Sequence, residues 1–219
     1  MLTKLWSGAL ATVVAPACFA CGANAGRTLP LCAACRDGLG WLPAETVTLE
    51  AGDGTQVEAW APLAYRGGAQ ALVRALKFRG ALALAGGMAA QMVASAPPGL
   101  IAGSAVVPVP LHPTRRRRRG FNQAEALGRA VGERAGLEVS DCLRRRGPRG
   151  TQMGRDRDER LAALSGSMAL RAGAQAPRRA VLVDDVLTTG ATLLACAATL
   201  RVAGAERVCA ITYARTPGR

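Results

Sequence analysis

Two adjacent carboxylates and a hydroxyl-rich turn lie together in segment 181–192. The apolar run that ends at Val183 predicts a strand buried on both faces, which would place Asp184 and Asp185 at its carboxyl end, where open α/β sheets bind ligands. Two neighbouring carboxylates repel each other. This favours a cation or hydroxyl partner over the alternative in which they only cap the next helix. The doublet is therefore a candidate catalytic pair.

A turn follows the doublet and leads into a predicted helix. Free backbone N–H groups and the dipole at a helix N-terminus attract anions such as phosphate. A glycine in the turn lets the backbone come close to the ligand. One ligand that needs both the carboxylates and the turn is a ribose 5-phosphate. The candidate phosphate-binding residues are Thr188, Thr189, Gly190, Ala191 and Thr192.

Four cysteines form two C-x2-C pairs with ten residues between them: Cys18, Cys21, Cys32 and Cys35. Two such pairs can present four thiolates to one tetrahedral ion, which is typical of structural zinc. A disulfide pair, a redox C-x2-C or an iron–sulfur site would use the same residues. The odd total of seven cysteines and the lack of a convincing export signal argue against disulfides. We predict structural Zn²⁺ with four sulfur ligands and no catalytic role.

Arginine dominates the charge of the chain. Its 28 basic residues exceed its 15 acidic residues and give a formal net charge of +13. More than half of the arginines lie between residues 113 and 160, including the run 115–119. This run could bind pyrophosphate, bind a nucleic-acid backbone or form a solvated loop. Within it, we choose Arg115 and Arg119 as ligand residues.

The composition excludes several classes of protein. Half of the residues are hydrophobic, which excludes wholesale disorder, and no apolar run reaches the roughly 18 residues of a membrane span. Residues 1–20 resemble a secretory signal. However, apolar residues such as Leu5, Ala9 and Val13 share one helical face. We therefore predict an amphipathic helix that ends at Pro16, and a cytoplasmic protein.

Strands and helices alternate along the rest of the chain. The predicted strands are 58–65, 104–109, 167–170, 180–183 and 208–213, and the predicted helices are 70–78, 81–93, 122–134 and 191–203. This order predicts an α/β domain with a parallel sheet. We interpret 37–54 as a connector, the first strand as an edge strand and 147–160 as a charged loop.

Segment 181–192 resembles the phosphoribosyl pyrophosphate motif of type I phosphoribosyltransferases. Further segments extend the resemblance: Val106–Pro113, Arg119–Gln123, Leu143–Arg145, Thr151–Gln152 with Arg160, Tyr65–Gly67 and Leu76–Phe78. Together with the four cysteines, they make the chain similar to the ComF family of competence-associated proteins. The resemblance covers nearly the whole chain, from Cys18 to Arg215.

The resemblance implies a fold and a ligand. The fold would be a type I phosphoribosyltransferase-like parallel sheet with flanking helices over residues 55–219, preceded by the N-terminal helix and zinc knuckle over residues 1–54. The acidic pair would hold the ribose hydroxyls of phosphoribosyl pyrophosphate, directly or through Mg²⁺, and the turn at 188–192 its 5-phosphate. The loop at 147–160 would close over the site. The pyrophosphate would lie against Val109, Pro110, Leu111, His112, Arg115 and Arg119.

Three activities are compatible with this resemblance. The one we favour is an enzyme, a phosphoribosyltransferase in which a nucleophile displaces pyrophosphate from the sugar with the help of Mg²⁺. The second is a non-catalytic module of DNA uptake, whose knuckle and arginines contact single-stranded DNA or a helicase. The third is a regulator that senses the ligand without catalysis.

Two residues near the predicted site have alternative roles. His112 is expected to anchor its loop through the backbone rather than to act as a general base, because no orienting carboxylate is evident. Lys77 would either offset the dipole at a helix C-terminus or contact a phosphate.

Overall fold

A computed structural model describes residues 16–26, 29–146 and 167–218. The amphipathic helix expected before Pro16 and the closing loop expected at 147–160 lie outside the described residues, as do Thr151, Gln152 and Arg160. No helix in the described ranges is both long and apolar enough to cross a membrane.

The described part of the chain contains eight strands and six helices. The strands are β1 (Val47–Glu50), β2 (Gln56–Trp60), β3 (Leu63–Ala64), β4 (Ala105–Pro108), β5 (Leu143–Arg145), β6 (Met168–Leu170), β7 (Arg179–Leu187) and β8 (Arg207–Arg215). The helices are α1 (Ala33–Asp37), α2 (Gly67–Phe78), α3 (Leu84–Ser95), α4 (Pro113–Arg119), α5 (Gln123–Ala135) and α6 (Ala191–Val202).

The main sheet is mostly parallel. Its strand order is β1-β2-β8-β7-β4, and β3 also pairs with β8. Only the β1–β2 pair is antiparallel within this sheet, whereas β5 and β6 form a separate antiparallel ribbon. The mixed α/β architecture with a parallel-rich sheet and flanking helices confirms that part of the prediction.

The central strand β7 is covered on both faces. Val181 and Val183 pack in one core with residues of α2, α3 and α5, and the alternate residues Ala180 and Leu182 pack in a second core with α6. Successive side chains of a strand point to opposite faces, so an apolar run without alternation is what a doubly covered strand requires. This burial fixes the register in which β7 delivers the two aspartates.

Two sequence interpretations are wrong in the first half of the sheet. The connector proposed for 37–54 contains strand β1, and β2 lies between β1 and β8 rather than at the edge. The sequence pattern does not predict strand β1, because the strand is four residues long and buries only Leu49. A single buried residue produces no visible alternation of apolar and polar positions.

The arginine run is a short helix, α4, and not the loop considered for it. Pro113 occupies the first turn, which suits its fixed φ. At the other end, Gly120 ends the helix with φ +79°, a backbone conformation that glycine adopts without strain. Pro113 and Gly120 are therefore typical residues for the start and the end of a helix, although the arginines between them show no helical pattern of apolar positions.

Candidate functional site

A pocket of about 230 Å³ lies at the carboxyl edge of β4 and β7. The two strands are parallel neighbours, and the Val109 N–H donates to the Val183 carbonyl at 3.0 Å, so the segment after β4 runs beside the doublet. The pocket lining contains every predicted sugar- and phosphate-site residue except His112: Val109, Pro110, Leu111, Arg115, Arg119, Asp184, Asp185, Thr188, Thr189, Gly190, Ala191 and Thr192. Sheet topology thus brings together segments that are distant in the sequence.

The two aspartates lie within β7, because the strand continues to Leu187. Asp185 is 2% exposed, and its Oδ1 lies 2.9 Å from Nζ of Lys77. Its other oxygen, Oδ2, is buried and has no hydrogen-bond partner among the described residues. Asp184 is half-buried, and its Oδ1 accepts a hydrogen bond of 2.8 Å from the Asp185 N–H.

Burial opposes the charge of both carboxylates. It raises the pKa of Asp184 to about 7, with the neighbouring Asp185 charge adding to the effect. Burial also raises the pKa of Asp185, while the ammonium of Lys77 opposes that rise. An unpartnered, buried carboxylate oxygen is costly unless a ligand supplies a donor or a cation. Mg²⁺ binds to carboxylate oxygens, so the doublet has the type of ligand atom that this ion requires.

The turn after β7 begins helix α6 with Gly190 as its N-cap. Gly190 has φ +76°, and a Cβ built on it would lie 2.7 Å from Cδ1 of Leu49 in β1. The Ala191 N–H donates to Oγ1 of Thr189 at 3.4 Å. Leu49 of β1 therefore packs closely against the turn at Gly190. This contact could not be predicted, because the sequence analysis did not predict β1.

The arginines near the pocket divide into two groups. Arg115 and Arg119 line it, together with Arg145 from β5. Arg119 donates to Oε1 of Gln123 at 3.1 Å, and its guanidinium carbon lies 4.9 Å from the ring centroid of Phe78. Burial lowers the pKa of Arg145, and its Nε is buried without a partner among the described residues. Nε of Arg119 is likewise buried without a partner among the described residues, so these two guanidinium groups each have a donor to offer an anion.

The middle of the arginine run faces away from this pocket. Arg116, Arg117 and Arg118 are exposed and do not contribute to its lining. Arg116 forms an ion pair with Glu125 of α5. Arg115 and Arg119 therefore line the pocket and the three middle arginines do not, while the role of Arg115 and Arg119 as ligand residues stays a prediction.

His112 lies outside the pocket lining and caps α4. Its Nδ1 accepts a hydrogen bond of 3.3 Å from the Thr114 N–H. Burial lowers the pKa of His112, and the charges of Arg145, Arg115 and Arg117 lower it further. By accepting this backbone N–H, the imidazole anchors its segment, whereas its contact with a pyrophosphate stays a prediction.

The four N-terminal cysteines form one cluster. The sulfur atoms of Cys18, Cys21, Cys32 and Cys35 all lie within 4.8 Å of one another. Burial opposes ionisation of Cys18, yet backbone N–H groups of Cys32, Cys21 and Ala20 lower its pKa to about 6. Four sulfurs at this spacing can hold one zinc ion with Zn–S bonds of about 2.3 Å.

The chain is similar to two curated competence proteins. It is 38% identical over 102 residues to "Competence protein ComFC" of Streptococcus pneumoniae, a match that covers 47% of this chain and 44% of that protein. This match supports the resemblance of the chain to the ComF family. It is also 35% identical over 107 residues to "Competence protein F" of Haemophilus influenzae, covering 48% of this chain and 47% of the relative. The chain thus spans about half the length of the curated relatives it matches, and no family model matches it.

Sequence reasoning missed two features of the pocket. Arg145 was noticed only as part of the resemblance, and its entry into the pocket depends on the β5–β6 ribbon. Lys77 was assigned to a helix dipole or a phosphate, whereas the structure pairs it with Asp185. Each of these residues belongs to an element whose position no local pattern specifies.

We expect Asp184 to lower the stability of the ligand-free chain as pH rises from about 4 to about 7. The pKa of Asp184 is raised from 3.8 to about 7, so in this window the folded state retains a proton that the unfolded state has lost. Melting temperatures at pH 5 and pH 7.5 measure the effect. Asp184→Asn should flatten the dependence, whereas Glu133→Gln on the exposed face of α5 should leave it unchanged. If the melting temperature of Asp184→Asn depended on pH as steeply as that of the unmodified chain, the effect could not be attributed to Asp184.

Proposed function

We propose that this protein belongs to the ComF family, binds phosphoribosyl pyrophosphate with Mg²⁺ and transfers its phosphoribosyl group, in a competence-associated role. A type I phosphoribosyltransferase-like fold is part of this proposal. The main support for this proposal is that an acidic doublet, a helix N-terminal turn and three arginines line the same pocket. Each of these features suits a different part of the same ligand.

The acidic doublet suits the sugar. Oδ2 of Asp185 and the half-buried carboxylate of Asp184 are acceptors, and the vicinal hydroxyls of a ribose are donors. The same oxygens would hold Mg²⁺, which supplies positive charge beside the phosphates when it is bound. In the reaction, the negative doublet would also stabilise the positive charge that develops on the ribosyl group.

The two other features suit the phosphates. The turn that ends at Gly190 would bind the 5-phosphate through the N–H groups of α6 and the hydroxyls of Thr188 and Thr192. Arg115, Arg119 and Arg145 would bind the pyrophosphate on the other side of the doublet. When a nucleophile forms a bond to the anomeric carbon, the bond to pyrophosphate breaks, and these arginines stabilise the departing anion.

A second candidate function is non-catalytic: nucleic-acid binding or ligand sensing with the same fold. The observation that favours nucleic-acid binding is the exposed group Arg116–Arg118, which the pocket does not use. A chain with a net charge of +13 attracts the nucleic-acid backbone through such residues. Under this proposal, the partner is single-stranded DNA or a helicase of the uptake machinery.

Calorimetric titration of the full chain with phosphoribosyl pyrophosphate and Mg²⁺ tests the first function. We expect saturable binding that Asp184→Asn/Asp185→Asn weakens about a hundredfold, because the substitutions remove two charge-assisted hydrogen bonds of about 1.5 kcal/mol each. Glu133→Gln is the matched control that removes an exposed charge. Absence of binding by the unmodified chain would refute the proposal.

Two further measurements separate the candidates. Pyrophosphate release with a nucleobase or an oligonucleotide present would identify the enzyme, and binding without any release would identify a sensor. A DNA affinity that survives the doublet substitution, and whose salt dependence is smaller in Arg117→Ser/Arg118→Ser, would identify a separate nucleic-acid surface. For every arginine–phosphate ion pair that the substitutions remove, the slope of log affinity against log salt should fall by about 0.7 for a single strand.

A further inference from the structure

Lys77 forms the most buried ion pair of the described residues at the candidate site. It lies in the last turn of α2, and its Nζ is 2.9 Å from Oδ1 of Asp185. The Lys77 side chain is 22% exposed and that of Asp185 3% exposed, and both residues line the pocket. A carboxylate this deeply buried remains ionised only when a cation is close to it.

The choice of lysine at this position is informative because arginine is so abundant in the chain. An arginine carries a planar fork that tends to engage both oxygens of a carboxylate, whereas the lysine ammonium is a compact point charge. In this structure Lys77 contacts Oδ1, and Oδ2 has no hydrogen-bond partner among the described residues. The side chain therefore provides a cation and leaves one acceptor unused.

We propose that Lys77 is a positioning residue that holds Asp185 through Oδ1 alone and so keeps Oδ2 available to the ligand. Its charge also cancels one of the two charges of the doublet, which lets a polyanion approach. The identity of that polyanion rests on the proposed function. Lys77 acts through Asp185 and makes no contact of its own with the ligand.

A double-mutant cycle on Lys77 and Asp185 tests this role. The variants are Lys77→Met, Asp185→Asn and the two combined, with Arg74→Met on the exposed side of α2 as the matched control. The affinity for phosphoribosyl pyrophosphate with Mg²⁺ is measured by calorimetry. We expect Lys77→Met to weaken binding about tenfold or more, and to add no further loss when Asp185 is already asparagine.

Lys77→Arg separates charge from geometry. It keeps the positive charge but engages both oxygens of Asp185, so we expect it to weaken ligand binding, though less than Lys77→Met, which also removes the charge. Full wild-type affinity in Lys77→Arg would overturn the claim that a single-oxygen contact matters. Additive losses in the double-mutant cycle would overturn the claim that Lys77 acts through Asp185, and would indicate a direct phosphate contact.

A second measurement needs no sugar phosphate. Mn²⁺ binding to the chain is followed by the electron paramagnetic resonance signal of the free ion. Lys77→Met should tighten Mn²⁺ binding several-fold, because the doublet loses its internal cation, and Arg74→Met should not. Unchanged Mn²⁺ affinity in Lys77→Met would overturn the inference even if the sugar phosphate binds. Tightened Mn²⁺ binding in a chain that does not bind the sugar phosphate would refute the proposed function and support the role of Lys77.

Discussion

Loss of zinc from the four-cysteine cluster is expected to destabilise more than the N-terminal segment. The buried residues Cys18, Leu31 and Leu39 belong to the same core as Leu72 and Leu76 of α2. The approach is close, because a Cβ built on Gly68 in α2 would lie 3.0 Å from the Cys35 carbonyl oxygen. The cluster is therefore part of the support for the helix that carries Lys77.

We expect about one zinc ion per purified chain, and its loss on Cys21→Ser. The melting temperature should fall by about 10 °C or more, since a structural zinc site contributes several kcal/mol and each kcal/mol corresponds to about 2–4 °C in a chain of this size. Metal content by mass spectrometry and melting by circular dichroism measure the two effects. A strong chelator should reproduce them in the unmodified chain.

Cys209→Ala is the control for this experiment. Cys209 is a buried thiol outside the cluster, and its Sγ donates to the Leu100 carbonyl at 3.3 Å. Its removal should lower stability modestly and leave the zinc content intact. A chain that contains no metal and melts normally would contradict the assignment of the cluster. So would a Cys21→Ser variant that retains its zinc.

The sequence was sufficient for features that local chemistry determines. The four cysteines, the strand around Val183 and the helix predicted over 122–134 each have a local signature. The structure shows the cluster, β7 and α5, where Oδ1 of the N-cap Asn122 accepts a hydrogen bond from the Ala124 N–H. Buried strands and helix caps depend on neighbouring residues in the chain. Such features can be predicted without knowing the topology.

The remaining features depend on long-range packing. Lys77 reaches Asp185 only because α2 packs beside β8 and β7 of the same sheet. Leu49 contacts the turn at Gly190 only because β1 pairs with β2 at the far side of β8. No pattern in a single segment specifies which distant segment it will meet. The acidic doublet was therefore predicted, and its partners were not.

Gly190→Ala is expected to damage both stability and ligand binding through this long-range contact. Glycine at φ +76° accepts a backbone conformation that costs alanine about 1–2 kcal/mol. The added methyl group would also lie 2.7 Å from Cδ1 of Leu49, and overpacking of this kind costs about 1–3 kcal/mol. We expect a loss of about 2–5 kcal/mol in the free energy of unfolding, measured by urea denaturation.

Two variants separate the causes. Gly173→Ala places alanine at φ +74° with nothing within 4 Å of its Cβ, so it should show the backbone cost alone. Leu49→Ala combined with Gly190→Ala removes the steric clash and keeps the backbone cost. If the turn binds the 5-phosphate, this pair should regain part of the ligand affinity that Gly190→Ala loses. Equal destabilisation by Gly173→Ala and Gly190→Ala would show that Leu49 does not constrain the turn.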